Sequence, residues 1–459
     1  MVRPTRLACW KGAVQLNSCA SSNTKQALRN SEVHRWYRFV LAFPDHLVSQ
    51  ICDRFGATAG DLVLDPFCGT GTTLVECKKL GIDSIGIEAN PSSSFASRVK
   101  TTWDLDPDQV RSLASQVMSR TAADLQLLTF STQPLFRPYH DAERLKRQLL
   151  ETSPAGRYFV QSGMLKRRWI SEIPFYKVLA AKRAITSLDA PQEYQDLLLL
   201  ALVAAIVENV ANISFGPELY VVSPKDDADV RGAFESKVEA MASDLESAST
   251  LARVGATRVL SGDARECARV LRGARVDRLA DYVITSPPYP TEKDYTRNTR
   301  LELVFLGYIR SSKDLRVIKQ QMLRSHSKNI YKDDSDGRFV ATIPEVQEIV
   351  DELRQKTSSK SYGFAKQYPR VILEYFGGMF RHLRSLSAIL RRGGKCAYVV
   401  GDQRTYLQTY TPTGRILGII AELPEVGLRA EDLVTWRVRH GTTGSGRPIE
   451  ERVLILTKP

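Results

Sequence analysis

Two short strings hold the residue types that could do chemistry together. The first is "DPFCGTGTT" (65–73), with a second acid, Glu88, about twenty residues on; the other is "ITSPPY" (284–289). In the first, Gly69 and Gly71 let the backbone approach a ligand and take positive φ without a Cβ penalty. The helix that follows offers free N–H groups and the positive end of its dipole, which hold a carboxylate as readily as a phosphate. Asp65, at a strand tip, suits a cationic amino group. Glu88, ending the next strand, suits ribose hydroxyls. An amino acid joined to a ribose describes S-adenosylmethionine. The string is neither the dinucleotide G-x-G-x-x-G nor a P-loop, since the third glycine and the Gly-Lys-Ser/Thr are missing.

In the second string the two prolines stiffen the end of a strand and fix the direction of their carbonyls. The Ser286 hydroxyl and the Pro287 carbonyl can each accept one N–H of an exocyclic amine. Gripping both draws the nitrogen toward tetrahedral geometry and frees its lone pair. Tyr289 offers a stacking face, worth roughly 1–3 kcal/mol per base. That offsets the few kcal/mol needed to extract a base from a duplex. Taken alone, a Pro-Pro-Tyr loop is more often only a strand end, and a glycine pair only a turn. Both at one sheet edge make a site.

The elements that must position these strings alternate. "DLVLD" (61–65) reads as a strand, "LVECKKLG" (74–81) as a helix and "SIGIEAN" (84–90) as a strand. This is the pattern of a parallel sheet with its ligand at the carboxyl edge. The alternation stops over 104–250, which reads as helices, and resumes at "TRVLSGD" (257–263) and "DYVITSPPY" (281–289). A polar, basic excursion covers 290–370. A helix over 371–394 leads into "KCAYVVGD" (395–402), and two strands (432–440 and 451–458) suit an antiparallel closing pair. The expected fold is α/β, a Rossmann-like sheet of seven mostly parallel strands with an antiparallel C-terminal strand and a helical insertion. The expected parts are a flexible basic arm (1–30), a first cofactor-binding part (31–103), the helical insertion (104–250) and a second, catalytic part (251–459).

At 459 residues and net charge +13, the chain is large and basic, which favours a nucleic-acid partner over a generally basic surface with no ligand. No apolar run reaches the ~20 residues of a membrane span. The longest, 197–213, contains Glu208 and two asparagines. Seven scattered cysteines form no zinc-spaced cluster, so no metal is expected, and an odd count points to a reducing cytoplasm. The first thirty-one residues carry five Lys/Arg and no acid. They are read as a basic arm in preference to a transit peptide.

The two strings resemble the motifs of amino-methyltransferases that modify exocyclic nitrogens of DNA bases. "DPFCGTGTT" resembles their cofactor motif almost letter for letter, which implies cofactor contacts at Asp65, Pro66, Phe67, Gly69, Gly71 and Thr72. "TSPPY" resembles the catalytic motif of the N4-cytosine members, which implies roles for Ser286, Pro287, Pro288 and Tyr289; N6-adenine members more often carry Asp or Asn before Pro-Pro-Tyr. "HRWYRFVLAFPDHLV" (34–48) resembles the segment that closes over the methionine end of the cofactor, with Phe43 and Pro44 in its Phe-Pro element. "GIEANP" (86–91) resembles the ribose strand, and "SGD" (261–263) the loop whose acid, here Asp263, contacts adenine. "SPPYPTEKDYTRNTRLELVFLG" (286–307) is similar to bacterial modification methylases throughout, with no mechanism evident for its second half. Turn precedes Pro-Pro-Tyr here, a circular permutation of the order common among N4-cytosine enzymes, so base preference is carried over from a differently arranged group.

The resemblance implies an S-adenosylmethionine-dependent enzyme that methylates N4 of a flipped cytosine in double-stranded DNA, often alongside a separate restriction nuclease. Two readings share the chemistry: an N6-adenine enzyme, and an RNA guanine-N2 enzyme. One differs in class, a non-catalytic DNA-binding subunit. C5 chemistry needs a cysteine nucleophile, and none lies near the Pro-Pro-Tyr loop. Asp294 reads as a loop acid before a proton relay. Two regions compete to read DNA: Lys166–Trp169, and a set in the later excursion comprising Arg297, Arg300, Arg324, His326 and Lys328. Oligomeric state is not legible.

Overall fold

The computed structural model describes residues 32–37, 43–129, 139–215, 219–358, 363–404, 406–440 and 448–459. The expected arm (1–30) lies outside them, as do most of the residues between the last two expected strands. Among the described residues nine strands form two sheets: β1 (Leu62–Asp65), β2 (Asp83–Glu88), β3 (Ile213–Phe215), β4 (Leu219–Val221), β5 (Thr257–Ser261), β6 (Ala280–Thr285), β7 (Leu390–Gly401), β8 (Arg429–His440) and β9 (Pro448–Thr457). The main sheet has the order β5-β2-β1-β6-β7-β9-β8. Pairings from β5 to β7 are all parallel, while β9 runs antiparallel to both β7 and β8.

The chain therefore leaves β1 toward β2 and β5, then returns to the other side of β1 to lay down β6 and β7. The direction of winding reverses between β1 and β6. At such a switch point the helices on either side diverge and open a crevice at the strands' carboxyl ends. This is the Rossmann-like class I methyltransferase architecture, with its reversed strand last in sequence.

Side chains of the central strands alternate between two cores, as the period of two requires. Leu62, Leu64, Val283, Tyr398 and Val400 face one, shared with the helices Pro344–Ser358, Tyr368–Ser387 and Thr413–Ala421. Val63, Tyr282, Ile284 and Val399 face the other, against the helix Asp45–Phe55. In Tyr368–Ser387 a Cβ on Gly377 would fall 2.0 Å from the Asp336 carbonyl. The glycine pair "GG" thus lets the short turn Asp336–Phe339 lie directly on the helix.

The described residues of 107–249 include six α-helices, but not helices alone: β3 and β4 pair as an antiparallel two-stranded sheet inside this block. The helix Gln192–Ala205 runs into one π turn, Ile206–Val210, before the chain enters β3. Sequence patterning missed the ribbon because three-residue strands give no period to detect. The block's core is continuous with Phe95 and with Leu301, Val304 and Phe305. Phe159 stacks on Phe175 at 5.1 Å and meets Phe305 in a tilted contact at 5.5 Å, binding the block to the segment behind the Pro-Pro-Tyr loop. The helix expected over 371–394 stops at Ser387, and β7 begins three residues later at Leu390, so Gly393, at φ +71°, and Gly394 lie within the strand.

Candidate active site

Strand β1 ends at Asp65, which is fully buried. Its Oδ1 accepts the Phe67 N–H at 3.1 Å and the Thr285 hydroxyl at 2.6 Å. Its Oδ2 is buried with no partner among the described residues. Burial pushes the carboxyl up to about 6, against the pull of its hydrogen bonds. An ionised oxygen left this way is costly unless a donor arrives. An ammonium group is the donor that would relieve it best.

The turn after Asp65 is held by Gly71 N–H to the Cys68 carbonyl at 2.8 Å. Gly71 sits at φ +87° and caps the helix Thr72–Lys79; a Cβ there would meet the Ser97 hydroxyl at 2.6 Å. Gly69, at φ +52°, has open space where its Cβ would be. So Gly71 serves the fold, and Gly69 leaves room beside it. Pro66 is buried, Phe67 lies edge-on to His382 at 4.8 Å, and Thr72 is buried in the first helical turn. Pro44 starts the helix Asp45–Phe55, with Phe43 packed on the same core as Val63.

Glu88 closes β2 and turns back onto the glycine turn. It accepts Gly69 N–H at 2.8 Å and Asn90 N–H at 2.7 Å, one per carboxylate oxygen. Burial pushes it up to about 7. Asn90 then donates to Thr299 at 2.9 Å, tying the β2 tip to the segment beyond the Pro-Pro-Tyr loop. Asp263 is held by Arg265, whose Nε and Nη2 reach its two oxygens at 3.0 and 2.7 Å. Arg265 also binds Asp336 at 3.0 Å, which Arg381 grips at 2.8 Å.

On the other side of the switch point, Ser286 donates its hydroxyl to the Val399 carbonyl at 3.2 Å. With its proton committed there, the Ser286 oxygen presents only lone pairs to the crevice. The Tyr375 hydroxyl donates to the Pro288 carbonyl at 2.9 Å, and Pro287 is buried. The Tyr289 ring lies against Gly401, where a Cβ would be 3.1 Å from the ring edge. Sequence reading missed Thr285, Tyr375, Arg265 and Gly401 as supports, because each acts through a partner more than eighty residues away or, for Arg265, through a charge network that spacing does not reveal.

The second half of the 286–307 string gains a mechanism. Thr299 and Glu302 are buried; Thr299 holds Asn90, and Glu302 accepts the Tyr37 hydroxyl at 2.5 Å. The segment after the Pro-Pro-Tyr loop is thereby bolted to the end of β2 and to the N-terminal turn. That turn is further anchored by Asp244, which accepts Val33 N–H and Trp36 Nε1 at 2.8 Å each, and by His34 on Glu76 at 2.7 Å.

Several candidate DNA readers are corrected. Arg324 is buried against Asp334 at 2.9 Å, and His326 is buried 3.6 Å from Glu292. Asp294 caps the helix Tyr295–Asn298 and pairs with Lys319 at 2.6 Å, which holds its carboxyl below the usual range against burial. It is a loop acid. His34, Asp45 and Glu76 come within metal-binding range of one another, but Lys79 at 2.9 Å from Glu76 supplies the cation already. No described helix is long and apolar enough to cross a membrane.

Residues 8–94 match the family model N6_N4_Mtase, described as DNA methylase. The chain is 24% identical over 480 residues to the type II methyltransferase M.BsoBI of Geobacillus stearothermophilus, covering 95% of this chain and 87% of that one. It is 23% identical over 455 residues to the type II methyltransferase M.AvaI of a Nostoc strain, covering 95% and 88%. A shorter match, 39% over 72 residues, is to M.MjaII of Methanocaldococcus jannaschii and covers 16% of this chain. Among solved structures, the rRNA methyltransferase aviRa of Streptomyces viridochromogenes aligns with 11% identity over 97% of this chain and 96% of that one, at a TM-score of 0.28. Its glycine turn and its Ser-Pro-Pro-Tyr loop meet at one switch point, and the chain is similar to the amino-methyltransferases of DNA modification.

Proposed function

We propose that this protein methylates N4 of cytosine in double-stranded DNA, using S-adenosylmethionine. The observation that carries the reading is the Thr285–Asp65 hydrogen bond at 2.6 Å, which fixes the acid of one motif against the strand end that launches the other. When bound, the cofactor supplies an electrophilic methyl group on a sulfonium. Asp65 receives the ammonium on its unpartnered oxygen, with Pro66, Phe67 and Thr72 shaping the turn. Gly69 leaves room for the backbone approach, and Gly71 holds the turn. Glu88 takes the ribose hydroxyls, Asp263 the adenine edge, and Phe43 and Pro44 the methionine end.

Ser286 and the Pro287 carbonyl accept the two N–H bonds of the extruded amine, and Tyr289 stacks on the ring. Pro288, held by Tyr375, sets the loop's direction. The serine before Pro-Pro-Tyr supports cytosine through the likeness of TSPPY to the N4-cytosine motif, and the enzyme's contribution to attack is orientation and desolvation of the amine. The helical block is an insertion in one methyltransferase domain. Unclustered cysteines, five of them buried and unpaired among the described residues, suit a cytoplasmic enzyme, and a separate restriction nuclease is the natural partner of such a methylase.

The test is mass spectrometry of nucleosides from unmethylated plasmid DNA incubated with the protein and isotope-labelled S-adenosylmethionine. Labelled N4-methylcytosine is expected. N6-methyladenine in its place would overturn the base assignment, and an absence of label alongside measurable cofactor binding would overturn the enzyme.

A further inference from the structure

Glu292, three residues past Tyr289, stands at φ +58°, in the left-handed region that a residue with a Cβ enters only at a cost. Such a conformation persists where its surroundings hold it. Here the side chain is held. The Glu292 carboxylate accepts the Ser327 N–H at 3.0 Å on one oxygen and the Ser327 hydroxyl at 2.9 Å on the other. His326 Nδ1 accepts the Lys328 N–H at 2.9 Å, so the neutral ring carries its proton on Nε2. That nitrogen faces the same carboxylate at 3.6 Å.

The string that holds Glu292 is itself well fixed. Ser325, His326 and Ser327 are buried, and the Tyr406 hydroxyl donates to the Ser325 carbonyl at 2.8 Å. Arg324, besides its pair with Asp334, gathers the carbonyls of Lys319, Gln320 and Met322 at 3.0, 3.2 and 2.6 Å. The path from Glu292 back to Tyr289 is short and stiff. Pro290 is buried, and the Thr291 hydroxyl donates to the Tyr289 carbonyl at 3.4 Å. A second tie follows two residues on, where Asp294 pairs with Lys319 at 2.6 Å. The basic string that the sequence offered to DNA is thus turned inward at Arg324, His326 and Ser327, onto the stretch of chain that leaves the Ser-Pro-Pro-Tyr loop.

We propose that Glu292 is a positioning residue for methyl transfer: clamped on Ser327, it fixes the exit of the Ser-Pro-Pro-Tyr loop, and with it the stacking face of Tyr289, before a base arrives. This rests on the methyltransferase reading above and deepens it by naming what holds the base-binding loop in place. An enzyme whose contribution is orientation loses rate when the loop that orients the amine is free to shift, even where the cofactor still binds. The strained backbone at Glu292 is then the cost of aiming the loop, met by the two hydrogen bonds to Ser327.

The test uses the full chain and single-turnover transfer of labelled methyl to unmethylated plasmid DNA, counted as total label so that it holds for either base. S-adenosylhomocysteine affinity and melting temperature are read beside it. Glu292→Ala is expected to slow transfer by about tenfold or more, with cofactor affinity within about twofold. Glu292→Gln, which keeps an acceptor for Ser327, recovers most of the rate. Glu292→Gly relieves the left-handed backbone but lacks the grip; it is expected to melt no lower than Glu292→Ala and to be as slow. Ser327→Ala slows transfer in the wild-type background and adds little in the Glu292→Ala background, as partners in one contact should. A wild-type rate in Glu292→Gly would overturn the role, and so would full additivity of the two alanine changes. Loss of rate in Glu292→Ala only in step with lost cofactor binding would overturn it too, being the mark of a general defect in the fold. A wild-type chain that binds S-adenosylhomocysteine but transfers no label has a different signature: it would bring down the enzyme reading itself and this role with it.

Discussion

The Thr285 hydroxyl donates to the Asp65 carboxylate at 2.6 Å across the one point in the sheet where the winding direction reverses. Thr285 precedes the Ser-Pro-Pro-Tyr loop and Asp65 precedes the glycine turn, so this bond joins the two halves of the site. It also offsets part of the burial that raises Asp65. Thr285→Val keeps the shape and removes the donor. It should weaken S-adenosylhomocysteine binding by roughly tenfold, the worth of one hydrogen bond to a charged group, while Thr285→Ser stays near wild type. Calorimetric titration checks both; equal affinity in Thr285→Val would remove the bond from cofactor binding.

The pH dependence of cofactor binding follows from the same acid. Burial raises Asp65 to about 6 and Glu88 to about 7, so each carries a proton in the ligand-free fold below those values. An ammonium partner needs Asp65 ionised. Affinity should therefore rise with pH up to about 7 and then level, with proton release on binding near pH 6. The release is read by calorimetry in two buffers of different ionisation enthalpy. Proton uptake in place of release would contradict the assignment of Asp65.

The glycines of the turn should separate stability from binding. Gly71→Ala places a Cβ 2.6 Å from the Ser97 hydroxyl at φ +87° and should destabilise the fold by about 1–3 kcal/mol. Gly69→Ala meets nothing within 4 Å, so its cost is the milder strain of φ +52° and its main effect is to fill the space beside Asp65. A melting temperature lowered chiefly in Gly71→Ala, and cofactor binding lost chiefly in Gly69→Ala, is the expected pair. The reverse pattern would exchange their roles.

The sheet was legible because its strands carry the two strongest local signals, apolar runs and a glycine turn between them. β1, β2 and β6 fall where the patterning puts them, with Asp65 and Glu88 at strand ends and the Pro-Pro-Tyr loop at another, while β7 starts at Leu390, inside the expected helix. What was not legible joins residues far apart in the chain. No period reveals that Asn90 reaches Thr299, that Tyr37 reaches Glu302, or that Gly377 exists to admit Asp336. The basic residues of the 290–370 excursion misled for the same reason. Arg324 reads as a surface cation until Asp334 is seen beside it, and composition cannot tell a paired arginine from a free one.

Arg265 should be the costliest of these hidden supports to remove. Its side chain is 8% exposed and bridges Asp263 and Asp336, and Arg381 holds Asp336 and Glu266 from the other side. Truncation strands the nearly buried Asp263 and takes one of two partners from Asp336, a loss of about 3–5 kcal/mol for a buried pair broken on one side. Asp336 keeps Arg381, so the larger share falls on Asp263, the acid assigned to adenine. Arg265→Met should lower the melting temperature and weaken S-adenosylhomocysteine binding, while Arg265→Lys recovers much of the stability but less of the binding, since one ammonium cannot reproduce the two-point grip on Asp263. Adenine-lacking fragments such as homocysteine report on the remaining subsites. If Arg265→Met weakened them as much as the whole cofactor product, the effect would be global and the assignment of Asp263 to the adenine edge would lose its support.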